Sequence, residues 1–353
     1  MALVQCANKM RAVAQTTCKN LYPNTAKSST IKKTVFISQS TDIYTNLALE
    51  EWLYRNWDFN NNHILMLWQN DPCVLLGKHQ NPWLETNPLH LTDLGVDLAR
   101  RCSGGNTFYQ DLGNLNATFF SPKNYYNHKC NMELIVRAVF RKYSIKLHVS
   151  SNEDLLLRNS KIGIRSKVSR STKCKISNLC EENPKIEVKG LLTAIGWEYL
   201  RTPINSLKDG GKNLANKQNG FQLVNPTEQW FPGLNQIRET LQNWEWCYGE
   251  TPQFTVTKSF QVPGEFTNSY DAISDYLNIT MVVERGRIKS VSLYVPRGFL
   301  TTDFFGEATI ILPQENIKFT QDSINSFEWS LYGNYSSLNG NKSEKQITAW
   351  YNI

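Results

Sequence analysis

The alternation of apolar and polar positions cuts this chain into short elements. Asp42 is placed to cap a helix running to about Trp57, with Leu49, Trp52 and Leu53 on one face. Two short apolar strands follow, Ile64–Trp68 and Cys73–Leu76, and the turn-rich Gln69-Asn70-Asp71-Pro72 between them reads as a hairpin. Val96–Arg100 and Leu115–Phe120 alternate as strands, with Thr107–Tyr109 a further strand between them. Met132–Tyr143 is helical by period, Lys146–Val149 and Leu155–Leu157 are strands, and Val188–Tyr199 is a helix. Lys208–Asn219 is polar and glycine-containing, a loop. After Phe231-Pro232-Gly233 the pattern predicts a helix over Asn235–Trp246 and a strand over Gln253–Val262. A hairpin over Asn278–Val295 then turns at Glu284-Arg285-Gly286-Arg287. The pattern becomes simpler and β-rich near residue 230, where a domain boundary is expected. Ser336–Lys345 is polar and expected to be mobile, with Trp350 and Tyr351 able to dock back.

Length supports that division, since 353 residues exceed one typical domain. No apolar run approaches the roughly 18 residues of a membrane span, so a soluble protein without membrane partners is expected. Charge is unevenly placed. The formal net charge is +7, yet Lys9, Arg11, Lys19, Lys27, Lys32 and Lys33 precede the first acid, Asp42. Of 38 basic residues this leaves 32 against 31 acidic ones, so the body gives no sign of nucleic-acid binding. Residues 1–33 are basic, rich in Ser, Thr and Ala, and lack an apolar core. That is the composition of a mitochondrial transit peptide, a basic disordered N-terminus being the alternative. Six cysteines lie beyond it, with no C-x-x-C pair and no histidine at ligand spacing, so neither a metal site nor a disulfide framework is expected.

Three segments carry candidate chemistry. Arg100–Asn114 (RRCSGGNTFYQDLGN) sets two arginines at a strand end before Ser103-Gly104-Gly105. Glycines let backbone amides approach an anion, and arginine is a fixed fork for carboxylate or phosphate. It is not a Walker loop, and a surface hairpin with a basic edge is the plainer reading. Trp68–Asn87 (WQNDPCVLLGKHQNPWLETN) presents Lys78, His79, Gln80 and Asn81 after a buried strand, where His79 alone reads as a loop histidine without a task. Arg158, Lys161, Arg165, Lys167, Arg170, Lys173 and Lys175 form an acid-free run, either a solvated face or a landing strip for an acidic partner or phosphate.

Taken together, NLALEEWL (Asn46–Leu53), LWQNDPCVLLGKHQNPW (Leu67–Trp83), RRCSGGNTFYQDLGN, NPTEQWFPG (Asn225–Gly233) and WEWCYGETPQF (Trp244–Phe254) resemble the lipoyltransferase and lipoate–protein ligase family, in its mitochondrial branch. The resemblance covers roughly residues 35–265. It implies an α/β (α+β) fold: a class II synthetase-like, biotin–lipoate ligase-like catalytic domain over 34–230, and a small α+β accessory domain over 231–353. It implies transfer of a lipoyl group from lipoyl-AMP, or from a lipoylated carrier, to a lysine of apo lipoyl domains of 2-oxoacid dehydrogenase complexes, with the glycine-cleavage H protein a further acceptor. The expected location is the mitochondrial matrix and the expected state a monomer. Lipoyl-AMP is then a substrate; no cofactor is permanently bound, and ATP with magnesium enters only if the protein also activates lipoate. By the same resemblance Arg100, Arg101, Ser103, Gly104, Gly105, Tyr109, Asp111 and Asn114 line the adenylate, with His79 and Asn81 beside them. The essential lysine, which follows a D-L-L-L strand in the family, falls on Lys161.

The chain also departs from the pattern. Asn106 stands for the loop's third glycine, where tolerance of positive φ makes Asn a mild change. Gln110 replaces a histidine and cannot titrate. Between Leu179 and Val188 relatives carry a few tens of additional residues. Two alternatives stay open: a non-catalytic lipoyl-domain binder with a degenerate adenylate pocket, and octanoyl transfer through Cys102, which has no histidine near it in sequence.

Overall fold

β1 (Lys32–Ser38) begins inside the stretch assigned to the leader. The correction has a physical reason: Lys33 is buried, and its ammonium donates to the Tyr199 carbonyl at 3.3 Å. A computed structural model describes residues 31–151, 154–158, 160–162, 176–201, 220–261, 276–296, 306–310, 316–320 and 323; at 161, 176–177 and 306–310 it describes the backbone alone. Most of the leader, the loop over Lys208–Asn219, the basic run beyond Ile162 and the C-terminal tail with Trp350 and Tyr351 lie outside the described residues.

The Asp42 cap is in place. Its carboxylate accepts from the Thr45 N–H at 3.0 Å and opens α1 (Ile43–Asn56). β2 (Asn62–Trp68) is buried from His63 onward, and β3 (Cys73–Leu76) is buried throughout. The two do not form the expected hairpin. β2 pairs with β1 in parallel and with β6 (Asn116–Phe120) antiparallel. β3 pairs instead with β4 (Asp97–Arg100) in parallel and with β5 (Phe108–Gln110) antiparallel. The polar residues between them have other partners: Asp71 N–H donates to the Thr41 carbonyl at 2.9 Å, and the Gln69 amide to the Leu112 carbonyl at 2.5 Å. Between β3 and β4 the chain makes two short helices, α2 (Pro82–Glu85) and α3 (Pro88–Asp93).

α4 (His128–Tyr143) and α6 (Val188–Arg201) supply apolar faces to the main core. There Met132, Ile135, Val139, Leu191 and Ile195 meet Val35, Leu65, Leu67 and Phe119 of the sheet. β7 (Leu147–Val149), β8 (Leu155–Leu157), β9 (Ser160–Ile162) and β10 (Ile176–Ser177) form a separate small sheet in the order β10-β9-β8-β7. The stretch after Leu179 is packed, with α5 (Leu179–Glu182) giving Leu179 and the following turn giving Ile186 to the same core. β11 (Phe221–Val224) closes the first sheet, whose order is β11-β1-β2-β6.

The helix expected over Asn235–Trp246 is two, α7 (Leu234–Gln242) and α8 (Trp244–Cys247), separated at Asn243. α7 belongs with α1: Arg238 pairs with Asp42 at 3.0 Å, and Phe231 just before it meets Trp52 edge-on at 5.0 Å. The chain accordingly divides after Asn243 rather than near residue 230. One compact unit takes the described residues up to Gln80 and from Leu94 to Asn243; the other takes Asn81–Asp93 and the described residues from Trp244 onward. That second unit is an antiparallel sheet of β12 (Phe254–Gln261), β13 (Tyr276–Glu284), β14 (Arg287–Val295) and β15 (Gly306–Ile310). Leu277, Ile279, Met281 and Val283 face its core together with Val291 and Leu293 of the next strand. The hairpin turns where expected, on Arg285 (φ 50°) and Gly286 (φ 70°), the two left-handed residues of a tight two-residue turn. Trp83 of α2 is the centre of this unit's aromatic cluster, with Tyr248 at 5.2 Å, Phe254 at 5.6 Å and Phe319 at 5.2 Å. No helix among the described residues is long and apolar enough to cross a membrane.

Candidate functional site

Two loops leave adjacent parallel strands and run side by side. Gly77–Gln80 follows β3 and Arg101–Thr107 follows β4, and pairing continues past the strand ends. Arg101 N–H donates to the Leu76 carbonyl at 3.0 Å and Lys78 N–H to the Ser103 carbonyl at 3.0 Å. Contact is so close at Gly77 that a Cβ there would sit 1.8 Å from the Gly105 carbonyl oxygen. Gly105 itself has φ +107°, which glycine alone adopts without strain.

Both arginines are buried in this structure and occupied by backbone. Arg100 has no exposed surface, and its Nη1 donates to the carbonyls of Lys78 and Gln80 at 2.8 Å each and of Gly77 at 3.3 Å. Arg101 grips its own loop: Nε and Nη2 reach the Gly104 carbonyl at 3.2 and 2.9 Å, and Nη2 reaches the Asn106 carbonyl at 2.9 Å. Its guanidinium stands over the Phe108 ring at 5.0 Å. Burial pulls its pKa down to about 10, against the charge of Glu50, so it stays a cation at neutral pH.

The groups left facing outward are different ones. Gly104, Gly105 and His79 are exposed, and Ser103 is buried beneath them. Tyr109 on β5 is 44% exposed; residual desolvation, then the charges of Asp111 and Cys73, raise its phenol. Asp111 and Asn114 close a turn on themselves. Asp111 N–H donates to Asn114 Oδ1 at 3.1 Å, and Gly113 N–H donates to Asp111 Oδ1 at 2.8 Å. Asn81 falls in the other unit, where Oδ1 caps α2 through the Trp83 N–H at 3.0 Å and Nδ2 is buried without a partner. Lys161 lies on β9, paired by backbone with Leu156 and Ile176, in a different sheet from β3, β4 and β5. Among the described residues no cluster of metal-ligating side chains occurs.

A neutral network that motif reading missed joins α1, the β2–β3 connection, β5 and β6. Asn46, Asn70, Gln110 and Asn116 are all fully buried. Asn46 Nδ2 donates to Asn70 Oδ1 at 3.0 Å, and Asn70 Nδ2 to Gln110 Oε1 at 2.5 Å. Gln110 and Asn116 exchange amide hydrogen bonds at 2.8 and 3.1 Å. The one available signal was an asparagine on the apolar face of α1. Cys73, near this network, is held a protonated thiol by burial and then by surrounding carboxylates, its pKa pushed up to about 12.

A model described as the lipoyl protein ligase A/B catalytic domain matches residues 42–175, which include both loops. The mitochondrial lipoyl amidotransferase LIPT1 of Homo sapiens is 31% identical over 331 residues, spanning 82% of this chain and 84% of that protein. The chain belongs to the lipoyltransferase and lipoate–protein ligase family. The Mus musculus protein of the same name is 32% identical, over 74% of this chain and 76% of its own. A lipoate-protein ligase A of Bdellovibrio bacteriovorus is 29% identical, over 74% and 83%. The fold agrees with a crystal structure of P. falciparum LipL1 in complex with lipoate, at a TM-score of 0.51 and 23% identity over 74% of this chain and 84% of that one.

The family's departures can be located. Asn106 is not among the residues with positive φ, so its position demands no glycine on conformational grounds. Gln110 joins a network made wholly of side-chain amides, none of which titrates.

Proposed function

We propose that this protein transfers a lipoyl group from an activated donor, lipoyl-AMP or a lipoylated carrier protein, to a specific lysine of apo lipoyl domains of 2-oxoacid dehydrogenase complexes. What carries the reading is the 31% identity to a lipoyl amidotransferase across four-fifths of the chain, together with a family model whose match includes both loops. Two relatives bear the word mitochondrial in their names, which together with the basic leader supports work in the mitochondrial matrix.

In the reaction the acceptor amine attacks the acyl carbonyl, a tetrahedral oxyanion forms, and the bond to the donor breaks. With an adenylate the leaving group is AMP. With a lipoylated carrier it is the carrier's lysine amine, and exchange of one amide for another is close to thermoneutral. Ser103, Gly104 and Gly105 offer a close backbone approach, Tyr109 an exposed ring beside it, and Lys161 the cation for the oxyanion and phosphate. The nucleophile comes from the acceptor, so no covalent enzyme intermediate is needed.

A second reading, octanoyl-type acyl transfer through Cys102 as nucleophile, has one observation in its favour. Sequence offers no histidine near Cys102, yet the His79 loop is hydrogen-bonded to Ser103, one residue away. A single experiment separates the two. An apo lipoyl domain is incubated with the full chain and either lipoyl-AMP or a lipoylated carrier, and the acceptor is weighed intact. One lipoyl group should be gained; Lys161→Ala should slow the gain by about 10²–10³ and Cys102→Ser should leave it unchanged. Loss in Cys102→Ser alone would establish the cysteine route. An acceptor unmodified with either donor, while a known transferase works in parallel, would sink both.

A further inference from the structure

We infer that Arg100 is a positioning residue that acts through the backbone of Gly77–Gln80 to hold His79 at the rim of the glycine loop, and not a ligand for the substrate's anion. The inference rests on the proposed transferase reading for the meaning of the site, but not for its geometry. A side chain with no accessible surface cannot meet a ligand without displacing protein first. Its Nη1 already serves three carbonyls of one loop, at 2.8, 2.8 and 3.3 Å.

Those bonds fix the two peptide groups on either side of His79. The peptide before it is held by the Lys78 carbonyl on Arg100. The peptide after it is held by the Gln80 N–H on the Gly77 carbonyl at 3.1 Å, and that carbonyl is itself on Arg100. On the far side Lys78 N–H is tied to Ser103, so the loop cannot turn about its long axis. His79 is the exposed residue at its middle. An arginine suits this task because its planar fork has fixed donor directions, whereas a lysine ammonium is a point charge on a flexible stem. The three carbonyl dipoles converging on it offset part of its charge.

Hydrogen–deuterium exchange on the full chain tests the inference without any substrate. In Arg100→Lys and Arg100→Met the amides of Lys78 and Gln80 should exchange roughly tenfold faster or more, while β1 and β2 keep their protection. Unchanged exchange at those amides would overturn the inference, whether or not the wild type transfers lipoyl groups. If the Met variant fails to fold, the Lys variant carries the test, since it keeps the charge and most of the stem. Kinetics supply the second arm. A positioning role predicts that Arg100→Lys lowers kcat by about tenfold or more with KM for lipoyl-AMP within about threefold, whereas an anion ligand predicts the reverse split. Adding His79→Gln to Arg100→Lys should cost little more than Arg100→Lys alone; fully multiplicative losses would overturn the inference.

Discussion

At the scale of single residues the two loops assign unlike duties to like residues. Gly77 is required by the protein itself, since a Cβ there would strike the Gly105 carbonyl, which is backbone and cannot swing away. Gly104 meets nothing within 4 Å, so the protein alone would accept alanine there. Gly77→Ala should therefore destabilise by roughly 3 kcal/mol or more and abolish transfer. Gly104→Ala should stay within about 0.5 kcal/mol of wild type by urea denaturation. If the lipoyl donor approaches this backbone, the same variant should lose transfer about tenfold or more. Full activity in Gly104→Ala would remove the loop from the binding surface. Sequence made the glycines and arginines legible as a group but could not divide them. Whether an arginine faces solvent or is buried depends on carbonyls some twenty residues earlier in the chain, which only the pairing of β3 with β4 brings within reach.

At the scale of elements the amide network decides how the pieces are fixed. It links α1 through Asn46, the β2–β3 connection through Asn70, β5 through Gln110 and β6 through Asn116, and so ties the three-stranded sheet to the four-stranded one. Gln110→Leu would remove one acceptor shared by two donors and leave both amides buried, a loss of about 2–4 kcal/mol. Because no member titrates, that loss should be the same at pH 5.5 and pH 8, measured by chemical denaturation. A strongly pH-dependent difference would mean that an ionisable group shares the network. This arrangement also explains the one topological error in the sequence reading. Gln69–Pro72 carries good turn residues, but a turn reports only that the chain bends, not which strands then pair. Where pattern and local chemistry coincide the reading held, as in the Asp42 cap and the Arg285-Gly286 hairpin. Asn243 ended a helix that periodicity carried through, because Trp246 continued the apolar face in number only.

For the whole molecule, motifs do not respect the division into two units: His79 lies in one, while Asn81 and Trp83, two and four residues on, lie in the other. Charge arithmetic misled in a smaller way, counting Lys33 with the leader although it is buried in β1 opposite His63 of β2. Burial disfavours the charged form of each of these bases. Burial, then the charge of Lys33, pulls His63 down to about 4; burial, then the charge of Arg137, pulls Lys33 down to about 8. A base whose pKa falls on folding makes the unfolded chain the better proton binder between the two values, and stability there rises with pH. The His63 contribution is thus fully present above about 6.5 and is lost as pH falls toward 4. The Lys33 contribution appears only as pH climbs from 8 toward 10.5. Each window is worth of the order of 3 kcal/mol, at about 1.4 kcal/mol per pH unit. Other groups titrate in acid as well, among them Asp42: burial raises its carboxyl, but bonds from Thr45 and Arg238 outweigh that and hold it low. The informative quantity is therefore the difference between wild type and His63→Gln in urea midpoints at pH 4.5, 5.5, 6.5 and 7.5. The variant should lose less stability than wild type from 6.5 down to 4.5, and the two curves should run parallel above 6.5. Parallel curves throughout would show that His63 takes up its proton as readily in the fold as in water.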